Sequence, residues 1–316
     1  MTADEVALPL YGHREAQEAF LSARESGRLH HGWIFQGLSG IGKFRFALRL
    51  ASLQLGANPT DADPAGAPKH DPVIQKIVAN GHPDLKIVQR ELNDKGVLKQ
   101  DISVEQIRAL NHFFSLKPAL GGWRIGIVDA IDEMNANSLN AVLKTLEEPP
   151  PNSLLFLISH STRPVLPTIR SRCQTLRMRP LSLEDTRRVL DGMALETSGD
   201  MSELVQGRPG RAEERSGPTV MKASIAAQSL LKSMPSLNEG QLSQAVLSAG
   251  EDDQAFAAFA ETVLNWIRDR AEREPDWSST WFEGQQIVAA QKSLHLPPAQ
   301  AASKLVSCLQ TAFATR

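Results

Sequence analysis

Residues 37–44 read Gly-Leu-Ser-Gly-Ile-Gly-Lys-Phe, a phosphate-binding loop complete up to its last position. The pattern is G-x-x-x-x-G-K-[ST]. Its glycines let backbone N–H groups wrap phosphates, its lysine reaches the terminal phosphates, and its hydroxyl residue holds Mg²⁺. Here Gly37, Gly40, Gly42 and Lys43 stand in place, and Phe44 replaces the Ser or Thr. Mg²⁺ demands oxygen ligands in a tight octahedron, and a phenyl ring has none. The loop follows the apolar run Trp33–Phe35 and precedes a helical pattern starting near Lys43, the strand–loop–helix setting in which such loops work.

Outward from this loop, the first half alternates short apolar runs with helical patterns, which predicts a parallel α/β sheet. Strands are expected at Trp33–Phe35, Leu85–Val88, Arg124–Val128, Leu154–Ser159 and Thr175–Met178. Between them Val104, Ile107, Leu110 and Phe114 recur at helical spacing, as do Leu139, Val142, Leu143 and Leu146. Gly56–Lys69 and Asn93–Gly96 read as loops. A break falls near Arg179-Pro180, followed by a short helix over Leu183–Met193 and the turn Gly207–Gly210. Beyond about residue 218 the patterns are all helical: Phe256, Phe259, Ala260, Val263, Leu264 and Ile267 trace one face, and Leu305, Cys308, Leu309 and Phe313 another. The expectation is an α/β domain over 1–178, a small helical domain over 179–218 and an all-α domain over 219–316 suited to packing or oligomerisation.

With 316 residues, two or three domains are the prior. A net charge of −2 means that nucleic-acid contact would need a local patch or a partner. The two cysteines, Cys173 and Cys308, are far apart and form no Cys-x-x-Cys pair, which fits a reducing cytosol. The N-terminal Met-Thr-Ala-Asp-Glu is acidic and reads as no signal peptide, and no apolar run reaches the roughly 18 residues of a membrane span. A soluble, cytoplasmic chain is expected.

A P-loop hydrolase also needs an acid at the tip of a later strand to hold Mg²⁺, and Arg124–Asp129 (RIGIVD) supplies Asp129. In many such ATPases the next residue is the glutamate that activates water; here it is Ala130. Losing a general base typically costs about 10²–10⁴-fold in rate. Asp132 and Glu133 lie past the strand tip and read best as the first turn of the helix containing Leu139. Phe44 and Ala130 together predict no intrinsic ATP hydrolysis. The alternative is an autonomous P-loop ATPase of replication or repair that uses Asp132 or Glu133 as base.

Several further motifs follow in order: Leu10-Tyr11-Gly12-His13, GRLHHGWIFQGLSGIGK, HPDL at 82–85, GGWRIGIVDA at 121–130, LKTLEEPP, and Ser171-Arg172-Cys173. Together with the loop they make the first 175 or so residues closely resemble the AAA+ clamp-loader family of bacterial DNA polymerase III. Over the last hundred residues the resemblance amounts to helical character and length.

That resemblance implies a RecA-like AAA+ domain, a helical lid and a C-terminal collar within a pentameric ring that opens the sliding clamp and places it on primer–template DNA. Partners would be ATPase subunits of the gamma/tau type and a delta subunit, with the clamp touched indirectly and DNA through the complex. The family's in-trans arginine finger falls on Arg172, flanked by Ser171 and Cys173. A guanidinium is always charged and forks onto phosphate oxygens. One branch of the family is stationary: it does not hydrolyse ATP but offers its arginine to a neighbour, and Phe44 and Ala130 agree with that branch. A sensor position falls around Ser159. The segment Gly207–Arg211 resembles the second sensor region, with Arg211 either touching phosphate or bridging within the lid. Nucleotide or phosphate binding at the degenerate loop would be weak, and no cofactor is required.

Many family members carry a four-cysteine zinc module where this chain has Gly56–His82, which holds no cysteine. A structural zinc wants four Cys or His ligands, so no zinc is expected, and His70 and His82 read as loop residues. A zinc-stabilised DNA-binding module is the third reading and predicts bound metal. Arg163, Arg170, Arg172, Arg177 and Arg179 form the most basic stretch; charge alone leaves interface, DNA phosphate and solvent open as its surroundings. Cys173 reads as a small core residue.

Overall fold

The computed structural model describes residues 9–60, 63–161, 164–193, 201–236 and 238–314. It divides into two compact units. The first holds described residues 9–193 and Gln206–Gly210; the second holds 201–205 and 211–314.

The first unit is built as α1 (Arg14–Glu25), β1 (Gly32–Gln36), α2 (Lys43–Gln54), α3 (Pro72–Val78), β2 (Leu85–Gln89), α4 (Val104–Ser115), β3 (Arg124–Asp129), α5 (Ala136–Glu147), β4 (Ser153–Ser159), α6 (Pro167–Arg170), β5 (Gln174–Arg177) and α7 (Leu183–Asp191). Its five strands are all parallel in the order β2-β3-β4-β1-β5. The central strands are buried on both faces, which is why GWIFQ and SLLFLIS read as unbroken apolar runs and not as alternations. One face carries Phe20, Phe35, Phe46 and Phe156; the other carries Ile107, Leu110, Val142 and Leu146. Phe35 meets both Phe46 and Phe156 with ring centroids 5.1 Å apart, and such aromatic pairs add about 0.5–1.5 kcal/mol each beyond burial.

Register positions the strand tips. Gln36 pairs with Ser159, and Asp129 with Ile158. The P-loop, the β3 tip and the β4 tip therefore open side by side at the carboxyl edge, the usual ligand-binding edge of parallel sheets.

Helix α3 follows the 56–69 loop, started by Asp71, whose carboxylate accepts from Val73 N, and by Pro72 at the first helical position. One expectation needs amendment. Asp132 and Glu133 are not in the first turn of the Leu139 helix. They form a separate 3₁₀ turn, Ile131–Glu133, and α5 starts at Ala136 with Asn135 as its cap. Asn135 accepts from Ser138 N and so supplies the helix start that the acids were expected to favour.

The second unit is helical: α8 (Met201–Leu204), α9 (Ala212–Arg215), α10 (Pro218–Ser233), α11 (Glu239–Ala249), α12 (Asp253–Ala271), α13 (Trp277–Leu294) and α14 (Pro298–Ala314). The α12 face expected from the pattern is buried throughout, packed with Ala301, Leu305 and Leu309 of α14. Buried Arg215 bonds Glu261 Oε2 at 2.8 Å, Ser224 and Thr262. Among the described residues no helix is long and apolar enough to cross a membrane.

Candidate functional site

The P-loop holds its shape through two of its glycines. Gly40 and Gly42 have φ of 85° and 93°, the left-handed region glycine enters without strain. Gly37 is required for space: a Cβ there would stand 2.3 Å from the Met178 carbonyl oxygen.

Four carbonyls of the loop are held by the chain itself. Lys43, 2 % exposed as a residue, donates through Nζ to Gly37 O at 2.8 Å and Leu38 O at 2.6 Å. Gly210 N donates to Gly40 O at 2.9 Å. His13 Nε2 lies 2.8 Å from Ile41 O; a carbonyl only accepts, so this nitrogen carries the proton. Burial lowers the His13 pKa against the raising effect of that bond, favouring the neutral ring. Burial also brings Lys43 from its ordinary 10.5 down to about 8, although Asp129 and Asp132 oppose the fall. Phe44 packs, partly buried, against the core of the first unit.

Asp129 is likewise engaged. Gln89 Nε2 donates to its Oδ2 at 3.3 Å, and His160 Nε2 lies 3.2 Å from its Oδ1. Ala130 follows, fully buried. Asp132 accepts from Ser159 Oγ at 3.0 Å, from His160 N, and from Ser161 N at 3.2 Å. Glu133 pairs with Arg90 at 2.9 Å. Ser159, expected as a sensor position, is thus tied to the turn after β3. Gln89 and His160 escaped sequence reading, because a strand-end amide and a post-strand histidine carry no pattern of their own.

Arg172 lies just beyond α6 with its side chain 36 % exposed. Its guanidinium donates to Thr168 O at 2.8 Å and Ser171 Oγ at 3.2 Å, and pairs with Glu147 of α5 at 2.9 Å. Cys173 packs beneath it: a Cβ on Gly32 would meet Cys173 Sγ and the Arg172 carbonyl at 3.0 and 3.2 Å. Burial pushes the Cys173 thiol up to about 12, which removes the thiolate that reactivity needs. Arg170, Arg177 and Arg179 are exposed; Arg163 lies outside the described residues.

Arg211 belongs to the second unit. It binds Glu214 at 2.8 Å and Glu261. Burial works against its charge, and these two carboxylates more than offset it, raising its pKa.

The remaining motifs are structural. In HPDL, Asp84 accepts from Ala119 N and Leu120 N at 2.7 and 2.9 Å, and Arg124 lies 3.5 Å away. Arg124 in turn binds Phe113 O and Lys117 O and lies over the Phe113 ring. His82 Nδ1 accepts from Asp84 N. Asp71 caps α3, and His70 sits in the turn before it. Buried Arg49 of α2 pairs with Asp63 in the loop that follows, whose Ala65 and Ala67 are buried. Among the described residues no group of three or more His, Cys, Asp or Glu side chains converges on a metal position.

A sequence profile described as "DNA polymerase III, delta subunit" matches residues 12–182, more than half of the chain. The chain belongs to this family. It is 34% identical over 195 residues to "DNA polymerase III subunit delta'" of Pseudomonas aeruginosa, covering 60% of this chain and 57% of that one. It is 35% identical over 161 residues to the Bacillus subtilis protein of the same name, covering 50% and 44%. Similarity to "DNA polymerase III subunit tau" of Escherichia coli, at 26% over 299 residues, reaches 91% of this chain and 44% of that one. The chain thus spans about half the length of the curated relatives it matches. Family membership fits the geometry: the matched segment holds the P-loop, the acid tip and Ser171-Arg172-Cys173, and ends just short of α7.

Proposed function

We propose that this chain is a non-hydrolysing, delta-prime-like subunit of a clamp loader, completing a neighbouring ATPase subunit's site with Arg172 while its own site stays inactive. The observation that carries this reading is the contrast between the two sites. The chain's own site has Phe44 and Ala130 where a metal ligand and a base would stand, Lys43 turned onto two loop carbonyls, and Gln89 and His160 beside the Asp129 carboxylate. Arg172 stands at the surface, its side chain 36% exposed and held by Thr168, Ser171 and Glu147. A guanidinium supplied in trans is worth about 10³–10⁵ in phosphoryl-transfer rate.

In this reading residues 179–218 act as a lid and 219–316 as a collar packing on sister subunits. Partners are gamma/tau-type ATPase subunits and a delta subunit, with the sliding clamp and primed DNA reached through the ring. Backbone donors of the loop could still cradle a phosphate weakly; no cofactor or zinc is needed.

The test is Arg172→Ala in a complex reconstituted with the ATPase subunits and clamp. The expected result is an intact ring whose DNA-stimulated ATPase falls steeply, since the completed site loses about 10³–10⁵ in rate. Unchanged ATPase in a correctly assembled ring would remove the finger assignment.

A further inference from the structure

The Arg172 side chain is not a loose arm. Its guanidinium spans two helix ends, taking Thr168 O of α6 with one nitrogen and Glu147 at the last residue of α5 with another. Glu147 is an unusual partner. A carboxylate in a helix's last turn faces the negative end of the helix dipole, so electrostatics of the helix alone disfavours it. The α5 end is nonetheless held in place: His31 Nε2 lies 3.1 Å from Leu146 O, and Glu148 N donates to Lys144 O. Burial lowers the His31 pKa, favouring the neutral ring whose Nε2–H this carbonyl accepts. The carboxylate next along the chain is therefore presented at a set position, half-exposed, against the arginine.

We infer that Glu147 is a positioning residue that parks Arg172 against the end of α5 until a phosphate competes for it. The inference rests on the finger reading above. A guanidinium already neutralised by a carboxylate offers little net charge to a neighbour's nucleotide. Phosphate oxygens carry more charge and match the same fork, so in the assembled ring the arginine exchanges one anion for the other. Glu147 then opposes capture of nucleotide at the shared site. It leaves the chemical step alone, because the pair is broken before the transition state forms.

The experiment is steady-state ATPase of the reconstituted complex carrying Glu147→Gln, with Arg172→Ala, the double variant and Glu148→Gln alongside. Glu148→Gln makes the same charge change in the groove lined by Arg108 and Lys144. Half-exposed ion pairs are weak, so the expected change is a drop in KM for ATP of about two- to five-fold with kcat unchanged. The drop should shrink in high salt, vanish in the Arg172→Ala background, and be absent in Glu148→Gln. An unmoved KM, a fall in kcat, or an equal effect without Arg172 overturns the latch while leaving the finger standing. If Arg172→Ala itself leaves the ATPase unchanged, the finger reading fails, and the latch fails with it.

Discussion

Asp132→Ala separates the two roles open to this carboxylate, structural tether and catalytic base. In the structure Asp132 accepts three hydrogen bonds from the end of β4, and one donor, Ser159 Oγ, is fully buried. Removing the acceptor leaves that hydroxyl donor unmet, at about 1–3 kcal/mol. The His160 and Ser161 N–H groups are closer to water and recover part of their loss; Ser161 N also keeps a bond to Ser159 Oγ. Each then adds roughly 0.5–1 kcal/mol, for a total on the order of 2–5 kcal/mol. In a unit of this size 1 kcal/mol moves Tm by roughly 2–4 °C, so the first unit should melt about 4–20 °C lower. Trp33, buried on β1, gives a fluorescence signal for it, and Asp132→Asn, which keeps one accepting oxygen, should recover part of the loss. The isolated chain should show no ATP turnover to lose. A variant with unchanged melting would refute the tether; turnover by the isolated chain that disappears with Asp132 would make the residue a base after all.

Two further outcomes follow from buried charge. Folded Lys43 releases its proton near pH 8, whereas the unfolded lysine keeps it to 10.5. The unfolded state therefore binds more protons between those values, and stability should rise with pH across that window, by at most about 1.4 kcal/mol per pH unit; urea midpoints should show this slope, and Lys43→Met should flatten it. Asp63→Ala should destabilise the first unit by about 1–3 kcal/mol, since it takes from a buried guanidinium a carboxylate paired with it. Arg49→Met should cost less than that, because Asp63 is 25% exposed and can turn to water; the reverse order in urea titrations would count against the pair as the loop's anchor.

The parallel sheet was legible because its three central strands are buried on both faces and stand as uninterrupted runs; each expected strand lies within a residue or two of the one observed. The P-loop was legible for its glycine spacing. Helix α3 was not, since seven residues hold too few turns to show a period, although Asp71-Pro72 is a start signal. Nor was Arg49, which sits in the apolar pattern of α2 like any surface arginine until the 56–69 loop covers it. Asp132 looked like a helix-start acid because its true partners lie 27–29 residues on, at the β4 tip. The engagement of Asp129 by Gln89 and His160, and of Arg172 by Glu147, depends on strand register and helix ends meeting in space, which no local spacing encodes.

Gly37, Leu38, Gly40 and Ile41 give their carbonyls to Lys43, Gly210 and His13. A ligand that binds only the folded state adds RT ln(1 + [L]/Kd) to stability, and proteins whose loops close around nucleotide inherit that dependence on supply. This loop's carbonyls are tied by the chain's own side chains and backbone, so any nucleotide it took up would add that increment to a shape already braced from within.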